Sequence, residues 1–215
     1  MEYAGLSDDD LNNVQALNRL FLDCLKINTS YTGVRDQLAL PLGELVSALS
    51  EQQLERLSAS PFLLFSLREQ EGDFWEALFE ADCNGDLFVP SLVPGDETGQ
   101  LLSASLGFLW QLAGRNAYAV RVLSGASLHW CEQLADCTLV TLLSRAAYRA
   151  DLLVPRFSSN PDVWTKLLSA GVSSERNVRH AAHLTALQTL LTQDVRTQQA
   201  PARAAACRLP PPRSR

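Results

Sequence analysis

The feature that most constrains the fold of this 215-residue chain is a weak internal repeat. Residues 37–78 and 121–168 share one pattern of hydrophobic positions at low identity. The alignment pairs apolar residues of the two segments, Leu49, Leu54, Leu57, Trp75 and Leu78 with Leu134, Leu139, Leu142, Trp164 and Leu167. Two copies of one small unit are therefore expected, in residues 1–90 and 91–195. We expect them to fold alike and to pack through their long first helices, because each presents more apolar surface than one small unit can bury.

Composition allows one ordinary hydrophobic core or two small ones, since 47% of the residues are hydrophobic and 20% are charged. The net charge of −6 argues against a protein that coats nucleic acid through bulk charge. Acidic residues crowd the first half, whereas arginines crowd the second, at Arg115, Arg121, Arg145, Arg149, Arg156, Arg176 and Arg179. The two units should therefore offer different electrostatic surfaces to different partners.

No apolar run approaches the roughly 20 residues that span a bilayer, and the acidic start lacks the features of a signal peptide. A cytoplasmic protein without a membrane span is expected. The five cysteines include no C-x-x-C pair, so neither a disulfide framework nor a zinc ribbon is indicated. Most of them are expected to be buried: Cys24, Cys83, Cys131, Cys137 and Cys207.

Hydrophobic spacing predicts an all-α fold in which each unit contains a helix-turn-helix pair. The first unit should begin with a helix capped near Ser7, whose apolar face is Leu11, Val14, Leu17, Leu20, Phe21, Cys24 and Leu25. A second helical stretch carries Val34 and Leu38. A short helix from Pro41 follows, with Leu42, Leu45, Val46 and Leu49 on its buried side. The next helix has a capping box at 50–53.

The second unit should open with a long apolar helix that ends near Gly114, followed by shorter helices from Ala117 and Leu128 and one capped by Asp136 or Thr138. A further helix is expected after Asn160, which has Pro161 in the first turn. The last helix should run from Ser173-Ser174-Glu175 to about Thr192, and the Pro, Ala and Arg tail 196–215 should be disordered. Two short apolar runs, Phe62–Leu67 and Leu152–Phe157, fit either a strand or a buried helix.

Neither a catalytic nor a metal constellation emerges, so a non-enzymatic protein without a cofactor is expected. The segment 82–86 begins like an EF-hand loop, but Leu87 occupies the position that requires glycine, and a turn fits better. His129, Cys131 and Cys137 lie close in sequence, yet a structural zinc site needs four ligands. Core packing and surface exposure explain these three residues more simply.

Four basic residues of the last helix, Arg176, Arg179, His180 and His183, fall on one narrow face at helical spacing. We call this set the basic stripe. It could contact nucleic-acid phosphates or an acidic partner. Leu184, Leu187 and Leu191 continue it by one turn, however, so the face could instead pack against protein.

Residues 101–192 resemble the flagellar transcriptional activator subunit FlhD over nearly the whole length of that small protein, and residues 10–80 look like a more diverged copy. The resemblance is carried by five segments: Phe108–Leu112, Arg121–Gly125, Gln133–Leu139, Leu153–Phe157 and His180–Leu191. It implies a helical bacterial protein that dimerises and activates flagellar promoters with a zinc-binding partner, FlhC, which supplies much of the DNA contact.

Because one chain carries two such units, the resemblance suggests an internal pseudo-dimer that can also oligomerise. The chain lacks the cysteine cluster of the partner subunit and is therefore not a fusion of the two. The expected function is transcription regulation through an FlhC-like partner, with DNA contact through the basic stripe or through that partner. The alternative is a helical adaptor or structural component of a motility or secretion apparatus that binds no DNA.

Overall fold

The fold is mainly helical, as predicted, in a computed structural model that describes residues 5–26, 40–80, 97–146 and 149–198. The helices are α1 Asp8–Lys26, α2 Leu40–Ser47, α3 Glu51–Ser58, α4 Gly72–Glu80, α5 Glu97–Arg115, α6 Ala117–Ser124, α7 Leu128–Asp136, α8 Leu139–Ala146, α9 Pro161–Ser169 and α10 Arg176–Gln198. A short 3-10 turn spans Ala150–Leu152, and two strands, β1 Phe65–Ser66 and β2 Val154–Pro155, complete the described elements. The predicted helical stretch at Val34 and Leu38, the segment 82–86, Cys83, Cys207 and the tail from 199 lie outside these ranges.

Several helices begin at the side-chain caps that the sequence predicts. Ser7 Oγ accepts a hydrogen bond from the Asp10 amide at 3.1 Å. Ser50 and Gln53 form the predicted reciprocal capping box of α3. Thr138, rather than Asp136, caps α8, since its Oγ1 accepts a hydrogen bond from the Thr141 amide at 3.1 Å. Helix α9 also begins as predicted at Pro161, but Asn160 makes no side-chain cap hydrogen bond.

Helices α1 and α5 pack against each other at the centre of the molecule. They are antiparallel: Arg115, the last residue of α5, donates a hydrogen bond of 2.6 Å to Asp10 in the first turn of α1. The buried hydrophobic residues form one continuous cluster that extends from Val14 to Leu190. Both predicted units therefore contribute to one shared core rather than to two small ones.

Three leucines that the sequence places on buried faces are exposed. Leu11 and Leu20 of α1 and Leu45 of α2 have exposed fractions of 37%, 46% and 51%. The buried face of α1 is narrower, and it includes the polar Asn18. Oδ1 of Asn18 accepts a hydrogen bond from the Leu64 amide at 2.8 Å, and Nδ2 donates to the Phe62 carbonyl at 2.9 Å. The side-chain amide of Asn18 thus fixes the backbone of the run Phe62–Leu67 after α3, which explains why a polar side chain lies in the core.

The apolar runs Phe62–Leu67 and Leu152–Phe157 are neither helices nor full strands. Each contributes two residues to an antiparallel pair, with Phe65 opposite Pro155 and Ser66 opposite Val154. The first residue of each strand therefore faces the second residue of the other. Apart from Leu152, which ends the 3-10 turn, the rest of each run is buried irregular chain, and hydrophobic periodicity gives no signal for such a segment.

Several elements recur at one interval along the chain. Helices α1 and α5 both have 19 residues, and α5 begins 89 residues after α1. Helices α4 and α9 both have 9 residues and begin at the same interval. Within each of these later helices a buried tryptophan, Trp75 or Trp164, donates its indole N–H to a carbonyl eight residues earlier.

The backbone repeats the same local geometry before each tryptophan. Arg68 and Phe157, each seven residues before its tryptophan, have positive φ angles of 56° and 58°. Positive φ is unfavourable for large side chains and persists where the surroundings fix the conformation. Here each residue follows a β strand and precedes the helix that carries the tryptophan, so the same turn is held in both places.

The register that the sequence alignment gives across α3 and α8 differs by three residues from the register counted from the helix starts. That alignment pairs Leu54 with Leu139 and Leu57 with Leu142. Counted from the helix starts, Leu54 is the fourth residue of α3 and Leu142 is the fourth residue of α8, and both are buried. Hydrophobic residues three or four apart share a helix face, so leucine matching alone cannot fix a helical register.

Helix α10 continues to Gln198, beyond the predicted end near Thr192 and beyond the boundary at residue 196. Its inner side packs against α9. Leu190 lies over Gly125, where a Cβ atom would come within 2.5 Å of Leu190 Cδ1. Gly125 has a positive φ of 71° as the C-cap of α6. Glycine is therefore required there both by the cap conformation and by the close approach of α10.

A buried ion pair joins the two halves of the chain. Arg156, just after β2, donates from Nη1 to Glu69 Oε1 at 2.7 Å, and both side chains are almost fully buried. The guanidinium also donates to three backbone carbonyls, those of Leu63, Phe65 and Ser124. Glu69 in turn accepts hydrogen bonds from Ser66 Oγ and the Leu67 amide, each at 2.7 Å. These contacts satisfy both charges inside the core.

We expect Trp164→Ala to lower the free energy of unfolding by about 3–5 kcal/mol, because the substitution removes a large buried side chain and leaves a cavity. Trp75→Ala should have a similar cost, since both indoles are at most 1% exposed. Tyr118→Ala is the control, because Tyr118 is 52% exposed. Urea unfolding measures all three. A cost for Trp164→Ala below about 1 kcal/mol would contradict its placement in the core.

Glu69→Gln should lower the free energy of unfolding by about 3–5 kcal/mol, because it leaves the Arg156 charge buried without a counter-ion. Glu71→Gln is the matched control, since Glu71 pairs with Arg68 at the surface. That exposed pair should contribute less than about 1 kcal/mol. Equal costs in urea unfolding would show that the Glu69 carboxylate does not neutralise a buried charge.

Candidate binding surface on helix α10

The basic stripe begins at the first residue of α10. The turn before the helix is held by Ser173, whose Oγ accepts a hydrogen bond from the Glu175 amide at 3.1 Å. The carbonyl of Ser173 accepts a hydrogen bond of 2.7 Å from Arg179 Nη1. One arginine of the stripe is therefore anchored to the backbone that leads into its own helix.

The four residues of the stripe differ in exposure. Arg176 and His180 are exposed, Arg179 is half-buried, and His183 has only 4% of its surface exposed. The predicted continuation of the stripe is partly wrong, since Leu184 is 48% exposed. Helix α10 is instead buried through His183, Ala186 and Leu190, which follow one another at helical spacing. Within two helical turns, the side chains of the stripe thus change from exposed at Arg176 to buried at His183.

All four residues of the stripe line one open pocket beside Ala59, the C-cap residue of α3. Arg56, one turn earlier on α3, donates a hydrogen bond of 3.3 Å to the Val172 carbonyl and so ties α3 to the chain before α10. Among the described residues, no carboxylate lines the pocket. Its electrostatic character is therefore set by two arginines and two imidazoles.

Burial lowers the pKa of the His183 imidazole from 6.5 to about 4. Positive charge on Arg179 and His180 contributes to this lowering of the His183 pKa, whereas the Gly171 backbone opposes it. His183 is therefore neutral at neutral pH. Its Nε2 atom is buried and has no hydrogen-bond partner among the described residues. Such an atom is uncommon in a folded protein and requires an explanation.

The three residues that suggest a zinc site in the sequence, Cys131, Cys137 and His129, differ in burial. Cys131 is buried, and burial raises the pKa of its thiol to about 12. Cys137 is half-buried, and its Sγ donates to the Leu134 carbonyl, while His129 is exposed. In the described part of the chain, no three His, Cys, Asp or Glu side chains are arranged to hold a metal ion.

Two features of the interior are absent from the sequence predictions. One is the buried pair of Arg156 and Glu69, although an arginine inside the apolar run Leu152–Phe157 is a readable signal of a buried charge. The other is the indole N–H of Trp130, which is buried without a partner among the described residues. The Trp130 ring meets Trp75 edge-on at 5.2 Å. Sequence spacing gives no sign of that contact.

Comparison of the chain with protein-family models, curated proteins and solved structures finds no match. Within the ranges that the structure describes, no helix combines the length and the apolar character that a membrane crossing needs.

His183 should make the protein less stable as the pH falls from about 6.5 to about 4. In this interval the unfolded chain takes up a proton at His183 while the folded protein does not, so unfolding is favoured. The full difference is on the order of 3 kcal/mol. His183→Leu should remove it, which would make the unfolding free energy of the variant less dependent on pH than that of the wild type.

The control for this experiment is His129→Leu, which removes an exposed histidine on α7. Its pH dependence should follow that of the wild type. Urea unfolding at several pH values between 4 and 7.5 gives the comparison. Parallel curves for His183→Leu and the wild type would show that His183 takes up its proton equally in both states.

Proposed function

We propose that this chain is a non-enzymatic, FlhD-like regulatory protein in which two related units form an internal pseudo-dimer. It acts through protein contacts, with an FlhC-like subunit as the candidate partner. The proposal places it in the bacterial cytoplasm at flagellar promoters, where DNA is contacted through the partner and through the exposed part of the basic stripe.

The reciprocal pairing of β1 with β2 is the observation that carries this proposal. In a two-fold interface, residue i of one subunit faces residue j of the other, and j faces i. The 89-residue interval that relates α1 to α5 and α4 to α9 makes Phe65 equivalent to Val154 and Ser66 equivalent to Pro155. Phe65 opposite Pro155 and Ser66 opposite Val154 therefore follow this rule. The matching tryptophan hydrogen bonds and positive φ angles extend the same correspondence along the chain after each strand.

The charge distribution supports a role in binding two different partners. The acids of the first half and the arginines of the second give the two units unlike surfaces, so a single pseudo-dimer can contact different molecules on its two sides. A basic surface favours DNA or an acidic protein, whereas the acidic surface would repel DNA. The proposed regulation therefore works by bridging, with one partner on the acidic surface and another on the basic surface.

A helical adaptor of a motility or secretion apparatus is the second candidate, and the burial of the stripe favours it. His183 is buried, and Arg179 is bound to the backbone carbonyl of Ser173. Arg176 and His180 remain as the exposed members of the stripe. Fewer free cations mean fewer phosphate contacts, and therefore weaker binding to DNA.

Arg176→Gln should weaken binding to double-stranded DNA at all sequences and should flatten the slope of log affinity against log salt by about 0.9. Stability should barely change, because Arg176 is exposed. Fluorescence anisotropy with a labelled DNA fragment, started at low salt and repeated with a candidate partner, measures the effect. Arg149→Gln is the control: it removes an exposed arginine that pairs with Asp151 outside the stripe.

The double variant Arg176→Gln/Arg179→Gln separates the regulator from the adaptor. A regulator loses DNA affinity. An adaptor shows no DNA binding before or after the substitutions, while the loss of the buried stem of Arg179 lowers the melting temperature. Absence of binding by the wild-type chain, both alone and with the partner, would refute DNA contact. Affinity purification from the native cell would then identify the apparatus.

A further inference from the structure

The outward side of α10 is uncharged beyond its first two turns. Residues 181–193 contain no Asp, Glu, Lys or Arg, although 20% of the whole chain is charged. Side chains that are exposed or half-buried recur on this side at spacings of four and three, at Asn177, Ala181, Leu184, Gln188 and Leu191. We call these five residues the outer seam of α10. Leu184, at its middle, has 48% of its surface exposed.

The outer seam has the spacing of a helix that packs against another helix. An alternation of four and three residues keeps one side of a helix against a partner helix. The inner side of α10 is already occupied, since His183, Ala186 and Leu190 are buried. An apolar, uncharged helix face outside the core is typical of a protein contact. The outer seam is therefore a second packing surface of α10.

Three threonines beside the outer seam can be covered at little cost. The hydroxyls of Thr185, Thr189 and Thr192 each donate a hydrogen bond to the carbonyl four residues earlier, at 2.8, 2.9 and 2.9 Å. A hydroxyl that is bonded within its own helix needs no water molecule when it is buried. The threonine methyl groups can therefore contact a second helix.

The outer seam is complementary to a second copy of itself when the two helices run antiparallel. If the two-fold axis lies level with Ala186, then Ala181 of one copy faces Leu191 of the other. In the same arrangement Leu184 of one copy faces Gln188 of the other. Each contact occurs twice, as in any two-fold interface. A leucine thus always meets a residue other than leucine, and the small Ala181 leaves room for the large Leu191.

The charges of α10 favour the same orientation. Arg176 is exposed at the first residue of the helix, and the half-buried Arg179 follows one turn later. Parallel packing would bring the basic ends of two copies together, where they repel each other. Antiparallel packing places each basic end beside the C-terminal turns of the other helix, which carry the negative end of its dipole.

We propose that the protein forms a homodimer in which the outer seams of two α10 helices pack antiparallel. The proposal does not rest on DNA contact or on an FlhC-like partner, because none of the five seam residues belongs to the basic stripe. Each subunit of the dimer is one complete chain with both of its units.

Sedimentation equilibrium of the full chain tests the dimer and its surface. The wild type should dimerise with a Kd below about 100 μM. Leu184→Glu should raise the Kd by about 100-fold or more, because it removes two covered leucines and places two like charges in the seam. Val140→Glu is the matched control, since Val140 on α8 is 61% exposed and lies outside α10. Its Kd should equal that of the wild type, and circular dichroism should show that both variants fold.

Cysteine cross-linking tests the orientation of the two helices. An oxidised mixture of Ala181→Cys and Leu191→Cys chains should contain disulfide-linked dimers, because these positions face each other in the antiparallel pair. Each variant alone should cross-link no more than the wild type, whose own cysteines set the background. In a parallel pair, each variant would cross-link with itself.

Three results would overturn the proposal: a wild type that stays monomeric up to about 200 μM, an unchanged Kd for Leu184→Glu, or cross-linking of either cysteine variant with itself. Failure of the regulatory proposal would look different. In that case DNA binding would be absent while the dimer and its dependence on Leu184 remained.

Discussion

The fold depends on how one buried guanidinium is satisfied. Arg156 reaches across the boundary between the two halves of the chain, where it donates to the Glu69 carboxylate and to carbonyls of residues 63, 65 and 124. Unpaired charge inside a core costs several kcal/mol, so these acceptors must stay in place for the molecule to remain folded. The guanidinium therefore fixes β1 relative to β2 and holds α6 beside them.

Much of this architecture could be predicted from the sequence, because helical spacing and cap residues act locally. Ser50, Thr138 and Pro161 lie at helix starts as predicted. The contacts between elements could not be predicted in this way. No local pattern indicates that Asn18 binds carbonyls 40 and 44 residues away, or that Arg156 pairs with Glu69. Such contacts exist only after the chain has brought distant segments together.

The candidate site shows the same division. Helical spacing predicts that Arg176, Arg179, His180 and His183 share a face, because they are three, four and seven residues apart, and all four line one pocket. Helical spacing cannot show that the residues of this face are exposed at one end and buried at the other. This change in exposure is set by the packing of α10 on α9 and by the approach of Leu190 to Gly125. The chemistry of His183 follows from its burial, which is a tertiary property.

The Arg156–Glu69 pair also bears on why the proposed pseudo-dimer is a single chain. Arg156 and Leu67 hold the same place, as acceptors for the indoles of Trp164 and Trp75. Each is followed by the residue with positive φ, and the next residues are Ser158 and Glu69. In two copies of the second half, each Arg156 would lack the Glu69 carboxylate, and in two copies of the first half, each Glu69 would lack the Arg156 guanidinium. Only the unlike pair neutralises its buried charges. Covalent linkage keeps one copy of each half together, so the asymmetric centre forms without competition from like pairs.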